Sequence, residues 1–247
     1  MNRMLFFWGG SFLMYRTLMF DLDGSLLPMD QEFFTKQYFH ALCRHFAPFG
    51  YDAQALTAAV WKGTGAMVRN DGSRTNEEAF WDTFAGVLGD KALDDKDEFD
   101  RFYAEEFDGL RAFTKPDSVI AGSIRKLRDA GYDLILASNP IFPAIAQKKR
   151  MRWAGADPRW FRHITSYENT RYCKPNPDYF REILQTMDLD PSECLMVGND
   201  IREDMRAASA AGIDVFLLER CILHEDEGPR SMWRGYDFPS LLNYLGL

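Results

Sequence analysis

The sequence predicts an α/β fold, in which a parallel sheet is interrupted by an inserted, all-helical domain. From about residue 115 to residue 218, short apolar runs alternate with helical patterns. This alternation is typical of right-handed βαβ units, which place helices on both faces of a parallel sheet. Between residues 30 and 113, apolar residues recur at helical spacing and no convincing strand interrupts them. We therefore assign residues 14–29 and 114–247 to an α/β core and residues 30–113 to the insertion.

The predicted strands are apolar runs of four to six residues, most of them followed by polar or turn-forming residues. The first is Thr17–Phe20, which ends directly at Asp21. The remaining four strands follow the insertion, and the pattern of the second of these four is weak. They are residues 132–137, 163–166, 194–197 and 214–218.

The predicted helices are defined by their end signals and by apolar stripes. In the core, Gly131 and Gly212 follow the last residues of two helices, as expected for C-terminal stops. Pro177 lies in the first turn of another helix, where proline is well tolerated. A further core helix runs through Lys148–Arg150. In the insertion, aromatic-rich stripes mark three helical stretches, at residues 33–46, 80–88 and 99–107.

Composition limits the classes of function. The chain has 247 residues, a formal net charge of −8 and a hydrophobic fraction of 46%, which is ample for a core. The negative charge argues against nucleic-acid and anionic-membrane binding, because both need a cationic surface. The four cysteines form no C-x-x-C pair, which predicts reduced thiols in a cytoplasmic protein. The four histidines are scattered and are not expected to bind a metal.

The first 13 residues resemble a short signal peptide only loosely. One arginine precedes an apolar run that is too short to span a bilayer. The segment also lacks a small-x-small cleavage site before the first predicted strand of the core. We therefore expect residues 1–13 to be a non-native or disordered extension, with Met14 as the natural start.

Polar side chains follow several of the predicted strands at the point where each strand ends. The clusters are Asp21/Asp23, Ser138/Asn139, Lys174 and Asp200/Asp204. In open α/β sheets, ligands bind at the carboxyl ends of the strands. Paired carboxylates there suit a hard divalent cation such as Mg²⁺. Each cluster alone could be an ordinary turn or helix start, but their joint occurrence predicts one site at one edge of the sheet.

With these four clusters the chain resembles the haloacid dehalogenase (HAD) superfamily, whose four motifs occur in this order. The first motif corresponds to Asp21-Leu22-Asp23-Gly24-Ser25, and the second to Ser138-Asn139. Lys174-Pro175 corresponds to the third, and Gly198-Asn199-Asp200 to Asp204 to the fourth. The resemblance implies a Rossmann-like core and, for the insertion, a helical cap of the C1 type.

The resemblance also implies roles for individual residues. Asp21 would be the nucleophile that forms an aspartyl-phosphate, and Asp23 would be the general acid and base. Lys174 would neutralise the charge shared by the phosphate and the nucleophile. Ser138, with Asn139 beside it, would hold the phosphoryl oxygens. Asp21, the backbone carbonyl of Asp23 and Asp200 would bind Mg²⁺.

The fourth motif departs from the commonest family pattern, in which an aspartate follows the glycine directly. Here Asn199 occupies that place and Asp200 comes next. Asp200 is the favoured metal ligand and Asn199 is the alternative. Asp204 is a further candidate ligand, or it orients Lys174 or a metal-bound water.

Within the insertion, residues 61–72 form the most loop-like and cationic stretch. In C1-capped relatives a loop of this kind reads the leaving group, so Lys62, Arg69 and Asn76 are candidates for substrate binding. A solvated loop between helices is an equally good interpretation. The run Lys148–Arg150 is expected to be a solvent-facing helix end rather than a phosphate site.

These observations together predict a cytoplasmic, Mg²⁺-dependent phosphatase that acts on a small phosphomonoester through an aspartyl-phosphate. Asp23 favours phosphate chemistry, because the dehalogenases of the superfamily lack an acid at this place. A phosphomutase on the same scaffold is the nearest alternative. A non-catalytic interaction protein of the same fold is another, although a scaffold gains nothing from clustered carboxylates. A phosphonatase would need a Schiff-base lysine in the cap, for which Lys62 is the one candidate.

Overall fold

The computed structural model describes residues 6–8, 11–13, 15–225 and 232–247 of the chain. Within these residues there are two sheets. Strands β1 (Phe6–Trp8) and β2 (Ser11–Leu13) pair antiparallel in a small sheet of their own. The main sheet consists of six strands, all parallel: β3 (Thr17–Phe20), β4 (Asp133–Leu136), β5 (Phe161–Ile164), β6 (Cys194–Gly198), β7 (Asp214–Leu218) and β8 (Trp233–Gly235).

The order of the strands in the main sheet is β5-β4-β3-β6-β7-β8. From β3 the chain moves outward to β4 and β5, then returns to the other side of β3 and continues outward from β6. The direction therefore reverses between β3 and β6. In open parallel sheets, the carboxyl ends of the strands at such a reversal form the crevice in which ligands bind. The predicted parallel α/β sheet is confirmed, and its topology places a binding crevice after β3 and β6.

The helices between β3 and β4 form the insertion, and those after β4 alternate with the strands of the core. The insertion contains α1 (Gln31–Phe46), α2 (Ala53–Val68), α3 (Asn76–Leu88), α4 (Lys91–Asp94) and α5 (Lys96–Arg101), followed by a π-helical turn (Phe102–Glu106) and a 3₁₀ segment (Phe107–Phe113). The core contains α6 (Ser118–Asp129), α7 (Ala144–Trp153), α8 (Pro177–Met187), α9 (Ala207–Ala210) and α10 (Phe238–Leu245). No strand lies between residues 21 and 113 of this described stretch, so the all-helical insertion is confirmed.

Alternating side chains of β3 pack into two different cores. Leu18 and Phe20 join the apolar cluster that includes residues of α6 and α7, whereas Met19 joins the cluster that includes residues of α8 and α9. Successive strand side chains point to opposite faces, so this division shows that helices cover both faces of the sheet. Strand β3 is consequently buried along its whole length. The first polar side chain after it is Asp21, at its carboxyl end.

The helices of the insertion begin at side-chain caps and pack around aromatic rings. Asp30, Asp52 and Thr75 each accept a hydrogen bond from a backbone N–H in the first turn of α1, α2 and α3. Such caps satisfy donors that the helix leaves unpaired. The rings of Phe46 and Phe99 stack with centroids 4.0 Å apart. These rings belong to the same buried apolar cluster as Leu18 and Phe20 of β3, so the insertion and one face of the sheet share a core.

The two chain segments that join the insertion to the sheet run side by side. Lys115 donates its backbone N–H to the carbonyl of Pro28 at 2.8 Å, and Met29 forms an antiparallel bridge with Thr114. These contacts lie next to the predicted boundaries at 29/30 and 113/114. We propose that they delimit the two domains of the chain.

The stretch 61–72 is not the loop that the sequence led us to expect. Helix α2 continues to Val68, and Gly63 and Gly65 are helical residues. A Cβ atom at Gly63 would lie 2.6 Å from Cδ2 of Phe80, so this glycine allows α2 and α3 to pack closely. Gly63 therefore reflects a close helix–helix contact rather than a flexible turn.

Two elements near the C-terminus, β8 and α10, were not predicted because their apolar runs are short. In the N-terminal segment, the structure describes residues 6–8 and 11–13, which pair as a hairpin. The other residues of 1–13, expected to be a non-native or disordered extension, and Met14, expected to be the start, lie outside the described residues. Among the described helices, none combines the length and the apolar character needed to cross a membrane.

The contact between α2 and α3 gives a stability prediction. Replacing Gly63 with alanine forces a methyl group against the Phe80 ring. The resulting loss of stability exceeds the gain from the better helix propensity of alanine. We expect Gly63→Ala to lower the free energy of unfolding by about 1–2 kcal/mol, measured by urea denaturation monitored by circular dichroism.

Gly86→Ala in α3 is the matched control, because a Cβ atom there meets no other atom within 4 Å. We expect this variant to raise the free energy of unfolding by roughly 0.5–1 kcal/mol through helix propensity alone. If both variants were stabilised equally, Gly63 would not be a packing glycine.

Candidate active site

Asp21 and Lys174 meet in a buried ion pair at the carboxyl end of β3. The register of β3 aligns Phe20 with Leu136 of β4 and with Val197 of β6, so the three strands end at the same level. Lys174 donates from Nζ to Oδ1 of Asp21 at 2.9 Å and to Oδ1 of Asp204 at 2.6 Å. Its side chain is 1% exposed. The first, third and fourth predicted clusters are therefore brought together.

The charge of Lys174 depends on these two carboxylates. Burial alone would lower the pKa of Lys174, but the carboxylates of Asp204 and Asp21 outweigh burial and hold this pKa well above its ordinary value. The ammonium group is therefore a fixed positive charge beside Asp21.

Asp204 reaches Lys174 because the chain approaches closely at Gly198. A Cβ atom on Gly198 would lie 2.2 Å from Oδ2 of Asp204, so any larger residue would displace this carboxylate. Oδ2 of Asp204 also accepts the backbone N–H groups of Asn199 and Asp200, at 3.2 and 3.1 Å. These bonds fix the Asp204 carboxylate beside Lys174. Of the three roles considered for Asp204, this geometry favours the one in which it orients Lys174.

Asp23 is paired with a residue that the sequence did not point to. Arg150 of α7 donates from Nη1 to Oδ2 of Asp23, and the Arg150 side chain is 1% exposed. The expectation that Lys148–Arg150 is a solvent-facing helix end is therefore wrong for Arg150. The face of α7 that carries Gln147, Arg150 and Met151 is buried, and the helix packs against the π-helical turn and the 3₁₀ segment at the end of the insertion. Lys149 also turns away from solvent, since it donates to the Ala104 carbonyl at 2.7 Å.

Burial of Asp23 disfavours the charged form of its carboxyl group, relative to an aspartate in water. Burial raises the pKa of Asp23 above its usual range, Arg150 opposes this rise and the nearby Asp21 adds to it. Oδ1 of Asp23 is buried and has no hydrogen-bond partner. An acid with a raised pKa and a free oxygen is poised to donate a proton to a bound molecule.

The side chains of Asn199 and Asp200 differ in their surroundings. Oδ1 of Asn199 accepts from Ser25 at 2.7 Å, and Nδ2 donates to the Cys221 carbonyl at 2.7 Å, so both ends of the amide are used. Gly24, with φ +91°, approaches this amide so closely that a Cβ atom would lie 2.6 Å from Nδ2. Asn199 thus ties two loops together.

Asp200 presents its carboxylate to the site. Oδ1 accepts the backbone N–H groups of Arg202 and Glu203, both at 2.9 Å, which begins the helical turn that follows. Oδ2 lies 2.9 Å from Nδ1 of His224. Asp200 is favoured over Asn199 as a metal ligand, because its side chain is a charged carboxylate, whereas both ends of the Asn199 amide are used in loop contacts.

Ser138 and Asn139 follow β4 at the same edge. The Ser138 backbone is fixed by hydrogen bonds from Thr165 and Tyr179, each 2.8 Å from the Ser138 carbonyl. Nδ2 of Asn139 donates to Oε2 of Glu203 at 3.1 Å, while its Oδ1 is buried without a partner. The second predicted cluster is therefore in place beside the fourth.

Four residues of the site were missed in the sequence: Gln31, Arg150, Glu203 and His224. Gln31 donates to the Asp23 carbonyl at 2.8 Å, and His224 adopts a left-handed backbone, with φ +54°, beside Asp200. Glu203 could have been recognised, because it lies between the two aspartates of the fourth motif. The other three carry no sequence signal, since their position depends on how distant segments fold.

The polar cavity formed by these residues has a volume of about 290 Å³ and carries an excess of negative charge. Two permanent cations, Lys174 and Arg150, contact its carboxyl groups. The carboxyl groups that line it belong to Asp21, Asp23, Asp200, Glu203 and Asp204. Such an excess in a buried site is stabilised by a further cation.

The donor set fits Mg²⁺. In the described part of the chain, no three His, Cys, Asp or Glu side chains converge to enclose an ion by themselves. Mg²⁺ does not require such a cage, because proteins commonly hold it by one or two carboxylates, with water and substrate phosphate completing the shell. Asp21 and Asp200, with the Asp23 carbonyl, provide this kind of incomplete oxygen set.

The three cap candidates lie elsewhere. Lys62 and Arg69 are exposed, and neither lines the polar cavity. Asn76 is fully buried, and its Nδ2 donates to Thr170 and to the Tyr172 carbonyl, both at 3.3 Å. Asn76 therefore joins the insertion to the core segment before Lys174, and the expectation that it reads the leaving group is wrong.

Sequence comparison relates the chain to known hydrolases. The profile described as haloacid dehalogenase-like hydrolase matches residues 15–212. Pyrophosphatase PpaX of Bacillus velezensis is 24% identical over 193 residues, which are 78% of each chain. Glyceraldehyde 3-phosphate phosphatase of Methanothermobacter thermautotrophicus is 29% identical over 107 residues, or 43% of this chain and 46% of that protein.

Solved structures share the fold. The HAD-hydrolase YfnB of Bacillus subtilis, bound to magnesium, has a TM-score of 0.58 at 20% identity and covers 94% of this chain and 99% of its own. CbbY of Rhodobacter sphaeroides, in complex with phosphate, has a TM-score of 0.57 at 21% identity, over 94% and 100% of the two chains. The matched profile spans most of the sequence and includes all four strand-end clusters. The chain therefore belongs to the haloacid dehalogenase-like hydrolases.

Proposed function

We propose that this hydrolase is a Mg²⁺-dependent phosphatase that acts on a small phosphomonoester through an aspartyl-phosphate. One observation carries the proposal: Asp21 and Asp23 lie at one strand end, but their side chains have different surroundings. Asp21 is paired with the buried ammonium of Lys174, whereas Asp23 has a raised pKa and a free carboxyl oxygen. The pyrophosphatase and phosphatase names of the relatives agree with phosphoryl chemistry.

In the first step, the carboxylate of Asp21 forms a bond to phosphorus while the bond from phosphorus to the leaving oxygen breaks. Asp23 donates its proton to that oxygen, so the product leaves as a neutral alcohol. In the second step, Asp23 accepts a proton from water, and the water oxygen displaces Asp21 from phosphorus. The nucleophile and the acid are thereby restored.

The remaining groups hold the phosphoryl oxygens. Lys174 places a fixed positive charge beside Asp21, and Ser138 and Asn139 line the same cavity. Bound between Asp21, the Asp23 carbonyl and Asp200, Mg²⁺ would offset the negative charge of the phosphate and of the carboxylates. Positioning and electrostatic stabilisation supply most of the catalysis in phosphoryl transfer.

The proposed nucleophile gives the first test. We expect the protein to hydrolyse p-nitrophenyl phosphate in the presence of Mg²⁺, and EDTA to abolish turnover. Asp21→Asn should lower kcat by at least about 10³-fold, because the amide cannot form the covalent intermediate. Steady-state release of p-nitrophenol measures both effects.

Asp129→Asn is the matched control, since this carboxylate is exposed on α6 and should leave kcat unchanged. Turnover that survives Asp21→Asn or EDTA would contradict the mechanism. A folded protein that hydrolyses no phosphomonoester would favour the non-catalytic alternative.

The choice between Asp200 and Asn199 is testable by titrating the metal. We expect Asp200→Asn to raise the Mg²⁺ concentration for half-maximal activity by at least about 10-fold, because it removes a charged ligand. Asn199→Ala should leave this concentration nearly unchanged but lower the free energy of unfolding by about 1–3 kcal/mol, since the Ser25 and Cys221 partners lose their hydrogen bonds. The opposite pattern would make Asn199 the ligand.

Arg150 is proposed as the positioning residue for Asp23. Arg150→Met keeps an unbranched apolar stem but removes the guanidinium group and the ion pair, so the acid is no longer held towards the substrate. We expect kcat to fall roughly 10- to 100-fold with little change in KM, and Arg150→Lys to restore part of the loss.

Arg152→Met, an exposed site on the same helix, is the control and should behave as the wild type. Equal losses in both variants, or a loss confined to KM, would show that Arg150 does not act through Asp23.

A further inference from the structure

A second cavity adjoins the polar one and lies mostly within the insertion. Its volume is about 190 Å³, and residues of α1, α2, α3 and α5 line it together with the core segment 141–143. Asp23, Gln31, Ile141 and Phe142 line both cavities. The two cavities therefore adjoin along these four residues, with Asp23 between them.

The position of Asp23 sets the direction in which a substrate extends. The phosphoryl group belongs in the polar cavity, beside Asp21 and Lys174. The acid must contact the leaving-group oxygen, so the rest of the leaving group lies beyond Asp23. The second cavity is the space on that side.

The lining of this second cavity is aromatic and carries no positive charge. Half of its lining residues are Phe, Tyr or Trp, and within the described ranges of the chain no Lys, Arg or His side chain lines it. Arg150 stacks on the Phe142 ring, 4.3 Å from its centroid, but is outside the lining and paired with Asp23. The charged lining residues are Asp23 and Asp100. A second phosphate or a carboxylate on the leaving group would be desolvated there without a counter-charge.

The size and the remaining polar groups of the cavity indicate one ring. An apolar protein cavity of roughly 150 Å³ holds benzene, so a cavity of about 190 Å³ has room for one substituted ring. The hydroxyls of Tyr38 and Tyr103 bond each other at 2.8 Å.

We propose that the leaving group of the substrate is an uncharged, single-ring aromatic alcohol whose ring occupies this second cavity. This inference rests on the proposed phosphatase function. The phosphorus–oxygen bond to the alcohol breaks, the oxygen takes the Asp23 proton, and water later releases phosphate from Asp21. The products are the aromatic alcohol and inorganic phosphate.

Turnover tests the substrate class with two primary-alcohol esters, benzyl phosphate and phosphoglycolate. With Mg²⁺ present, we expect kcat/KM for benzyl phosphate to exceed that for phosphoglycolate by on the order of 100-fold. Asp21-dependent hydrolysis of phosphoglycolate at an equal or higher kcat/KM would overturn the inference and leave the phosphatase function standing.

Binding tests the cavity without turnover. By calorimetry in Mg²⁺, we expect benzylphosphonate to bind at least about 10-fold more tightly than methylphosphonate. Thr64 lines the cavity from α2, and Thr64→Trp should fill it and remove this difference while leaving the affinity for inorganic phosphate unchanged.

Ala58→Trp is the matched control, because Ala58 is exposed on the same helix and outside the lining. It should preserve the preference for benzylphosphonate. Equal affinities of the two phosphonates in the wild type, or equal losses in both tryptophan variants, would overturn the inference. A preference that Thr64→Trp removes, in a protein that hydrolyses no phosphoester, would support the cavity assignment and contradict the phosphatase function.

Discussion

The buried contact of Lys174 with Asp21 and Asp204 is the constraint on which the rest of the site depends. A lysine that is 1% exposed is costly to desolvate, and only two carboxylates at hydrogen-bond distance offset that cost. Asp21 follows β3 directly and Asp204 lies in the helical turn after β6, so the sheet register must hold β3 and β6 level. Gly198 is part of the same requirement, since a side chain there would displace Asp204.

The Asp23–Arg150 pair performs a different task at the same edge. Lys174 is held charged by its two partners, whereas burial and the neighbouring Asp21 push the pKa of Asp23 up against the opposing effect of Arg150. Two carboxyl groups two residues apart thereby lie in different electrostatic surroundings. Because Arg150 belongs to α7 and stacks on Phe142, the placement of the acid is tied to the helix and the loop that follow β4.

The sequence predicted the parts of the site that follow directly from strand periodicity. Asp21, Ser138 and Asp200 could be located because each follows a buried strand, and parallel strands align their carboxyl ends. Arg150 could not be located in this way, since its burial depends on which face of α7 packs against the rest of the protein. Gly63 misled the prediction for a similar reason, because a packing glycine inside a helix has the same local sequence as a glycine in a turn.

The molecule separates charge from apolar surface along a line that passes through Asp23. On the side of the sheet, carboxylates and Lys174 form a cavity that suits a cation and a phosphate. On the side of the insertion, the rings of Phe80, Trp81 and Phe99 pack against one another. The same three rings line the second cavity, so they contribute both to the packing of the insertion and to the cavity wall. A substrate with charge at one end and a ring at the other matches both sides, and the bond between those ends falls at the acid.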